Sequence, residues 1–290
     1  MGPRIALATY AQAPDLAPDD RLLLPALAAQ GIDAEPAVWS DDGIVWETFD
    51  GVVIRSCWDY HLRIGEFRSW LARLDASRLP LWNSIPLLEW NADKRYLLDL
   101  ARRGVATIPT MVVPRGEQES VVAIAEAEGW TKFVIKPVVS ASGYETHAVR
   151  LPLDDAGHAA IERTCAAGDA LVQPFASEVP VTGEYSFTFI DGEFSHATIK
   201  RAAAGEFRVQ TEHGGSVLPM AAPPGLAAQA AHVIRTLPEK PLYARVDGVE
   251  RGGAFLLMEL ELIEPNLFFA NGEGAADRFA SALAERLRSV

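Results

Sequence analysis

Two alternating runs joined by a glycine pair, "LYARVDGVERGGAFLLMELELI" at 242–263, constrain this chain more than any other stretch. The period-two alternation with a turn near Arg251-Gly252-Gly253 reads as an antiparallel hairpin. Side chains on a strand point alternately to its two faces. With a three-residue loop at 251–253, Asp247 lies opposite Leu257, and Arg245, Asp247, Glu259 and Glu261 share one face. A two-residue loop sends Asp247 to the other face unless a β-bulge compensates. Glu259 and Glu261 alternate with leucines, and carboxylates so placed repel unless something positive lies between them. Three hard oxygen ligands beside one arginine suit Mg²⁺ bound together with phosphates. A solvated face of mixed charge is the alternative.

A second hairpin is signalled by "GEYSFTFIDGEFSHATIKR", where Asp191-Gly192 separates two alternating runs. The first ninety residues instead alternate strand and helix. "RIALATY", "EPAVW", "GVVIRS" and "LPLWN" read as strands; the helices are "DDRLLLPALAAQG", opened by Asp19 or Asp20 and closed by Gly31, and "GEFRSWLARLD". "WNADKRYLLDLARRG" reads as a helix with Asn91 as N-cap and Gly104 beyond its last turn. "TIPTMVV", "KFVIKPVV" and "ALVQPF" are strand signals, and "AADRFASALAERLRSV" is an amphipathic helix. The expected class is α/β with α+β: a Rossmann-like layer over 1–92, a central unit over 93–176 and a C-terminal unit over 177–290.

Composition bounds the function. A formal charge of −13 over 290 residues argues against nucleic acid or an anionic membrane as partner. It leaves room for an anionic small molecule held by local cations or a metal. Two cysteines, Cys57 and Cys165, give no disulfide framework. There is no basic-then-apolar leader and no apolar run near the ~18 residues of a membrane span, so a cytoplasmic protein is expected.

Several residues break the local pattern. Lys136 is the one charge in apolar "FVIKPVV", so its ammonium needs an anionic partner or must snorkel. Ser140-Ala141-Ser142-Gly143 follows, small enough for backbone N–H groups to approach a phosphate. Lys200, Arg201, Arg208 and His213 form a cationic stretch that invites an anion, or a solvated loop. "ALVQPFASEVPVTGEYSF" has the shape of a hinge, in which Gln173, Pro174, Phe175 and Ala176 offer backbone groups to a planar base and Glu184 an acceptor to a ribose.

The order of these pieces resembles the ATP-grasp superfamily, to which D-alanine–D-alanine ligase and glutathione synthetase belong. It runs Lys94, Lys136, small-residue loop, hinge, Glu184, basic loop, Arg-x-Asp, Glu-x-Glu, and covers essentially the whole chain. The resemblance implies two α+β units sandwiching ATP. Lys94, Lys136 and Ser140–Gly143 would hold its phosphates, Gln173–Ala176 adenine and Glu184 ribose. Lys200 and Arg208 would contact the transferred phosphoryl group, and Arg245 would stabilise the tetrahedral intermediate. Asp247, Glu259 and Glu261 would hold Mg²⁺, with Mn²⁺ as the alternative ion. The superfamily commonly has asparagine where this chain has Glu261, and a Ser-Pro-Gly turn where it has Glu264-Pro265-Asn266. The phosphate loop is also poorer in glycine than many relatives.

"LATYAQAPDLAPDD", "RSCWDYH", "WNADKRYLLDL", "KPVVSAS" and "LMELELIEP" are similar to the O-ureido-D-serine cyclo-ligases of D-cycloserine biosynthesis. This implies activation of an amino-acid-like carboxylate as an acyl phosphate, then attack by a nitrogen of the same molecule. Arg55 would hold the substrate carboxylate and Asp59 its ammonium, with His213 nearby; packing by Trp58 and capping by Asp59 is the alternative. A kinase of the same fold and a nucleotide-binding regulatory module remain the competing functions. The oligomeric state is left open.

Overall fold

The computed structural model describes residues 2–289, the side chain of Glu212 excepted, as three β-sheets with helices between them. The first sheet contains β1 (Arg4–Thr9), β2 (Asp33–Val38), β3 (Gly51–Ser56) and β4 (Leu81–Trp82), parallel and in the order β2-β1-β3-β4. Successive residues of β1 enter different cores. Ile5 and Leu7 pack with Phe279 and Leu283 of the C-terminal helix, and Ala6 and Ala8 with Phe67 and Trp70 of helix Ile64–Ala76. A parallel sheet covered on both faces needs apolar residues throughout, which is why "RIALAT" lacks alternation. The amphipathic helix Ala275–Leu287 thus caps the opposite end of the chain.

The central sheet holds β5 (Met111–Val113), β6 (Lys132–Pro137), β7 (His147–Arg150) and β8 (Ala170–Pro174), in the order β5-β8-β6-β7. Phe133 and Ile135 of β6 bury against helices Gln118–Ala127 and Asp155–Ala167, through Val121, Ala125 and Ile161. Val134 and Lys136 point the other way, into a cleft. The chain enters and leaves this sheet through neighbouring strands β5 and β8. The Gln173 amide ties them near the crossing, donating to the Thr110 hydroxyl at 2.8 Å.

The third sheet is antiparallel, β11-β10-β9-β12-β13, from β9 (Glu184–Ile190), β10 (Glu193–Arg201), β11 (Ser216–Met220), β12 (Tyr243–Arg251) and β13 (Ala254–Glu261). Asp191-Gly192 turns β9 into β10 with φ of 49° and 75°, the geometry a two-residue hairpin requires. β12 and β13 also turn through two residues, Gly252-Gly253, the shorter of the two loops the sequence allows. A bulge between Asp247 and Gly248 then restores the alignment. Gly248 pairs with Leu257, yet Asp247 pairs with Glu259 and Arg245 with Glu261.

One expected helix is two. Ser84 caps a helix over Ile85–Asn91, accepting from the Leu87 N–H, and a second runs over Tyr96–Arg102. Asn91 therefore ends a helix instead of starting one. Its amide serves edge strand β13, donating to Leu260 O at 2.8 Å and accepting from Leu262 N–H at 2.9 Å. Tyr96 Oη accepts the Leu260 N–H at 2.9 Å. Backbone groups at a covered sheet edge need such partners. The chain turns between the two helices, so Lys94 sits in a turn, its N–H donating to Val138 O. Among the described residues no helix is long and apolar enough to cross a membrane.

Candidate active site

The third sheet has two unlike faces. Phe187, Phe189, Ala244, Val246, Leu257 and Leu260 bury in a core with Leu97, Leu100 and Val233. The opposite face carries Glu184, Ser186, Thr188, Lys200, Arg245, Asp247, Glu259 and Glu261, brought side by side by the register. Two cavities lie along this face and share Lys94, Ser140 to Ser142 and Glu259. The first lies under the central sheet, lined by Lys136, Gly143, Gln173 to Ala176, Glu184 and Arg208. The second runs toward the first sheet, lined by Trp58, Tyr60, Lys200, Arg245, Glu261 and Glu264.

The carboxylates do have cations between them. Lys94 Nζ lies 2.6 Å from Glu259 and donates to Ser140 O at 2.5 Å. Burial disfavours the Lys94 ammonium, but Glu259 reverses this and holds its pKa above the ordinary value. Lys200 bridges Glu184 at 2.5 Å and Asp247 at 2.8 Å. Arg245 takes Asp247 bidentately at 2.9 to 3.1 Å and also pairs with Glu261. Lys136 differs. It has no ion-pair partner among the described residues, and burial lowers its pKa. An unpaired ammonium at a cavity wall is poised for an incoming anion.

Asp247 stands apart from the two glutamates. It is 1% exposed, lines neither cavity, and is saturated by Arg245, Lys200 and the Ser186 hydroxyl at 2.7 Å. Burial works against its ionisation, yet Arg245 and Lys200 hold its carboxyl far below the usual range. The carboxyl expected as a metal ligand is thus engaged here by Arg245, Lys200 and Ser186. No three carboxylate, histidine or cysteine groups among the described residues converge as a metal site. The oxygens that fit a hard cation are those of Glu259 and Glu261, which reach the cavity. Glu261 is pushed up to about 7 by burial, despite Arg245, with Glu259 and Asp247 adding repulsion. A carboxylate crowded by two others suits a divalent ion.

The loop Ser140–Gly143 lies where expected, with Ser142 at φ 51° and Gly143 at φ 68° exposing its backbone to both cavities. In the hinge, Phe175 N–H already donates to Lys132 O at 3.1 Å, and the Phe175 ring packs on Phe207. Arg208 reaches the rim of the first cavity but pairs with Glu206 at 2.7 Å.

Arg55, Asp59 and His213 are not brought to the cleft. Arg55 is fully buried, bonded to Asp20 at 3.0 Å and to Pro265 O at 2.6 Å, with its guanidinium over the Tyr243 ring. Buried and lining neither cavity, this cation does not face a substrate bound there. Asp59 accepts from Trp39 Nε1 at 2.8 Å. His213 sits in a short 3₁₀ turn outside both cavities.

Residues that were not singled out complete the walls: Tyr60, Tyr96, Asn266 and Phe268 in the second cavity, Ile108, Phe207 and Met258 in the first. The turn after β13 is fixed with unusual completeness. Six consecutive carbonyls, Leu262 to Leu267, accept in order from Asn83, Tyr243, Trp58, Arg55, Arg245 and Thr188, with His196 also at Leu267. Trp58 and Arg55 of the "RSCWDYH" motif thus act on this turn, and Trp58 also reaches the cavity.

The family description "D-cycloserine synthetase DcsG, N-terminal domain" matches residues 5–83. The cycloserine biosynthesis protein DcsG of Streptomyces lavendulae is 34% identical over 98% of this chain and 99% of its own length. The crystal structure of D-cycloserine synthetase DcsG superposes with a TM-score of 0.90 at 32% identity, covering 98% and 99% of the two chains. D-alanine–D-alanine ligase from Bacillus anthracis, complexed with ATP, shares the fold at a TM-score of 0.70 and 15% identity, over 99% of each chain.

Proposed function

The chain belongs to the D-cycloserine synthetase family of ATP-grasp ligases, and on that premise we propose that it joins the activated carboxylate of a small amino-acid-like molecule to a nitrogen of the same molecule. The observation carrying this reading is the continuity of the two cavities at Lys94, Ser140 and Glu259. One accommodates a nucleotide and the other a small zwitterion, and their junction is where a phosphoryl group would pass between them.

Each side chain then has a task. Lys136 and Lys94 hold the nucleotide phosphates beside the backbone of Ser140 to Gly143, Gln173 to Ala176 face the adenine, and Glu184 takes the ribose. Lys200 and Arg245 lie on the second cavity, where charge grows on the substrate carboxylate during transfer and in the tetrahedral species formed by nitrogen attack. Arg208 exchanges Glu206 for the γ-phosphate. Glu259 and Glu261 would hold Mg²⁺, which supplies charge neutralisation between the phosphates and the carboxylates. The central sheet turns about its β5–β8 crossing and excludes water from the activated substrate.

The test is ADP and phosphate release with O-ureido-D-serine and a panel of D- and L-amino acids. Equal release of ADP and free phosphate with a cyclised product supports the proposal. A stable phosphorylated product without free phosphate identifies a kinase instead, and ATP binding without turnover a regulatory module.

A further inference from the structure

We infer that Glu264 is the receptor for the substrate's primary ammonium group, fixing which end of a zwitterionic substrate faces the nucleotide. The inference rests on the ligase reading above and deepens it.

Glu264 is 8% exposed and lines the second cavity. Every other acidic side chain lining either cavity has a cation: Glu259 has Lys94, Glu261 has Arg245 and Glu184 has Lys200. Glu264 has no ion pair and no side-chain hydrogen bond to another residue among the described residues; Lys94 acts on it only through space. A buried carboxylate without a partner is costly, so a position that retains one is set up to receive a positive group.

The surroundings select the kind of cation. A metal ion demands several oxygen ligands, whereas the aromatic side chains Trp58, bonded to the Glu264 carbonyl, and Tyr60 line the same cavity. Aromatic faces with a single carboxylate suit an alkylammonium. Arg245 lies on the same cavity, so a zwitterion finds a cation at one end and an anion at the other. Burial and then Glu261 push the Glu264 carboxyl up to about 8 against the opposing pull of Lys94, so an added positive charge at this place is favoured.

The backbone around Glu264 is held so that only its side chain is left to respond. With carbonyls 262 to 267 all engaged, the carboxyl is presented from a rigid turn. It is pre-organised in the sense that matters for specificity: little ordering remains to be done on binding.

The test compares the substrate accepted by the wild type with its deamino analogue, in wild type and in Glu264→Gln, by kcat/KM from ADP release. In the wild type, loss of the ammonium should lower kcat/KM about 100-fold, as expected for a lost charged hydrogen bond at a buried site. In Glu264→Gln the two compounds should differ by no more than a few-fold, with the ATP-induced thermal shift unchanged. Glu264→Asp, which keeps the charge, should retain discrimination and serves if the amide variant folds poorly. Three results would overturn the assignment: equal discrimination in Glu264→Gln and wild type, an equal drop in kcat for both compounds (a proton-transfer role), or a changed Mg²⁺ requirement. A wild type that releases no ADP with any compound fails earlier, overturning the ligase reading itself.

Discussion

Lys94 Nζ and Glu259 lie 2.6 Å apart where the two cavities join, a turn residue from before the central sheet meeting the strand that ends the third. Lys94 neutralises in the free protein a carboxylate that, in the proposed reaction, faces the nucleotide phosphates. Glu259→Gln should therefore lower the stability of the ligand-free protein, because it strands the buried Lys94 ammonium, and reduce turnover at least tenfold. Glu261→Asn should keep measurable activity with a higher Mg²⁺ requirement, whereas Glu261→Leu should not. ADP release across a range of Mg²⁺ concentrations, beside melting curves in EDTA, decides this. Unchanged turnover of Glu259→Gln at every concentration would remove the metal assignment.

ATP with Mg²⁺ should stabilise the protein more than either alone. The nucleotide brings negative charge to Lys136 and the metal screens it from Glu259 and Glu261. At 100 times the dissociation constant the gain is about 2.7 kcal/mol. A thermal-shift titration without nucleotide dependence would count against the whole site.

Lys136→Ala should weaken ATP binding at least tenfold while leaving the ligand-free protein as stable or slightly more so. The substitution removes a half-buried ammonium that has no ion pair, so folding loses little and the phosphates lose a contact. Calorimetric titration with ATP is the measurement; normal affinity with a lower melting temperature would return Lys136 to a packing role.

Arg55→Met should cost stability, on the order of 3 kcal/mol, because it strands the buried Asp20 carboxylate. The effect should appear in urea midpoints. A raised substrate KM at unchanged stability would show that Arg55 contacts substrate after all.

The pH dependence has a definite sign. The Glu264 carboxyl sits at about 8 in the folded chain against an ordinary 4.5, so the folded state binds the proton more tightly. Stability from this group is complete below about 4.5 and lost as pH rises toward and through 8. Glu261, at about 7, adds to the same trend. Glu264→Gln cannot ionise, so without ligand it should melt above the wild type by a margin that grows from pH 5 to pH 8.5. A margin independent of pH would mean the carboxyl titrates normally.

Much of this was legible in the chain itself. Alternation and the Asp191-Gly192 turn located the third sheet, and the superfamily resemblance carried by Lys136, Glu184, Lys200 and the Glu-x-Glu pair pointed to the cleft they line. The failures share a cause. Arg55 and Asp59 have the chemistry of ligands, but Asp20 and Trp39, distant in sequence, claim them. Asn91 has the chemistry of a cap, yet a strand edge 169 residues away takes its amide. Asp247 faces the cleft by register and is then hidden by the very cations that were meant to accompany it. Local pattern says which way a side chain points; only tertiary packing says what is already there.

The turn at 262–267 has a further consequence for how such enzymes diversify. Its conformation is imposed by seven side chains from elsewhere in the fold, among them Asn83, Trp58 and Arg55 before the central sheet and Arg245 and Thr188 in the third. All act on carbonyls, which every amino acid possesses. Residues on the turn can therefore be exchanged, as Glu264-Pro265-Asn266 stands where the wider superfamily often has Ser-Pro-Gly, without asking the backbone to find a new path. On the Glu264 assignment, substrate preference in this scaffold is a trait that a single substitution on the turn can alter while the backbone frame stays as it is.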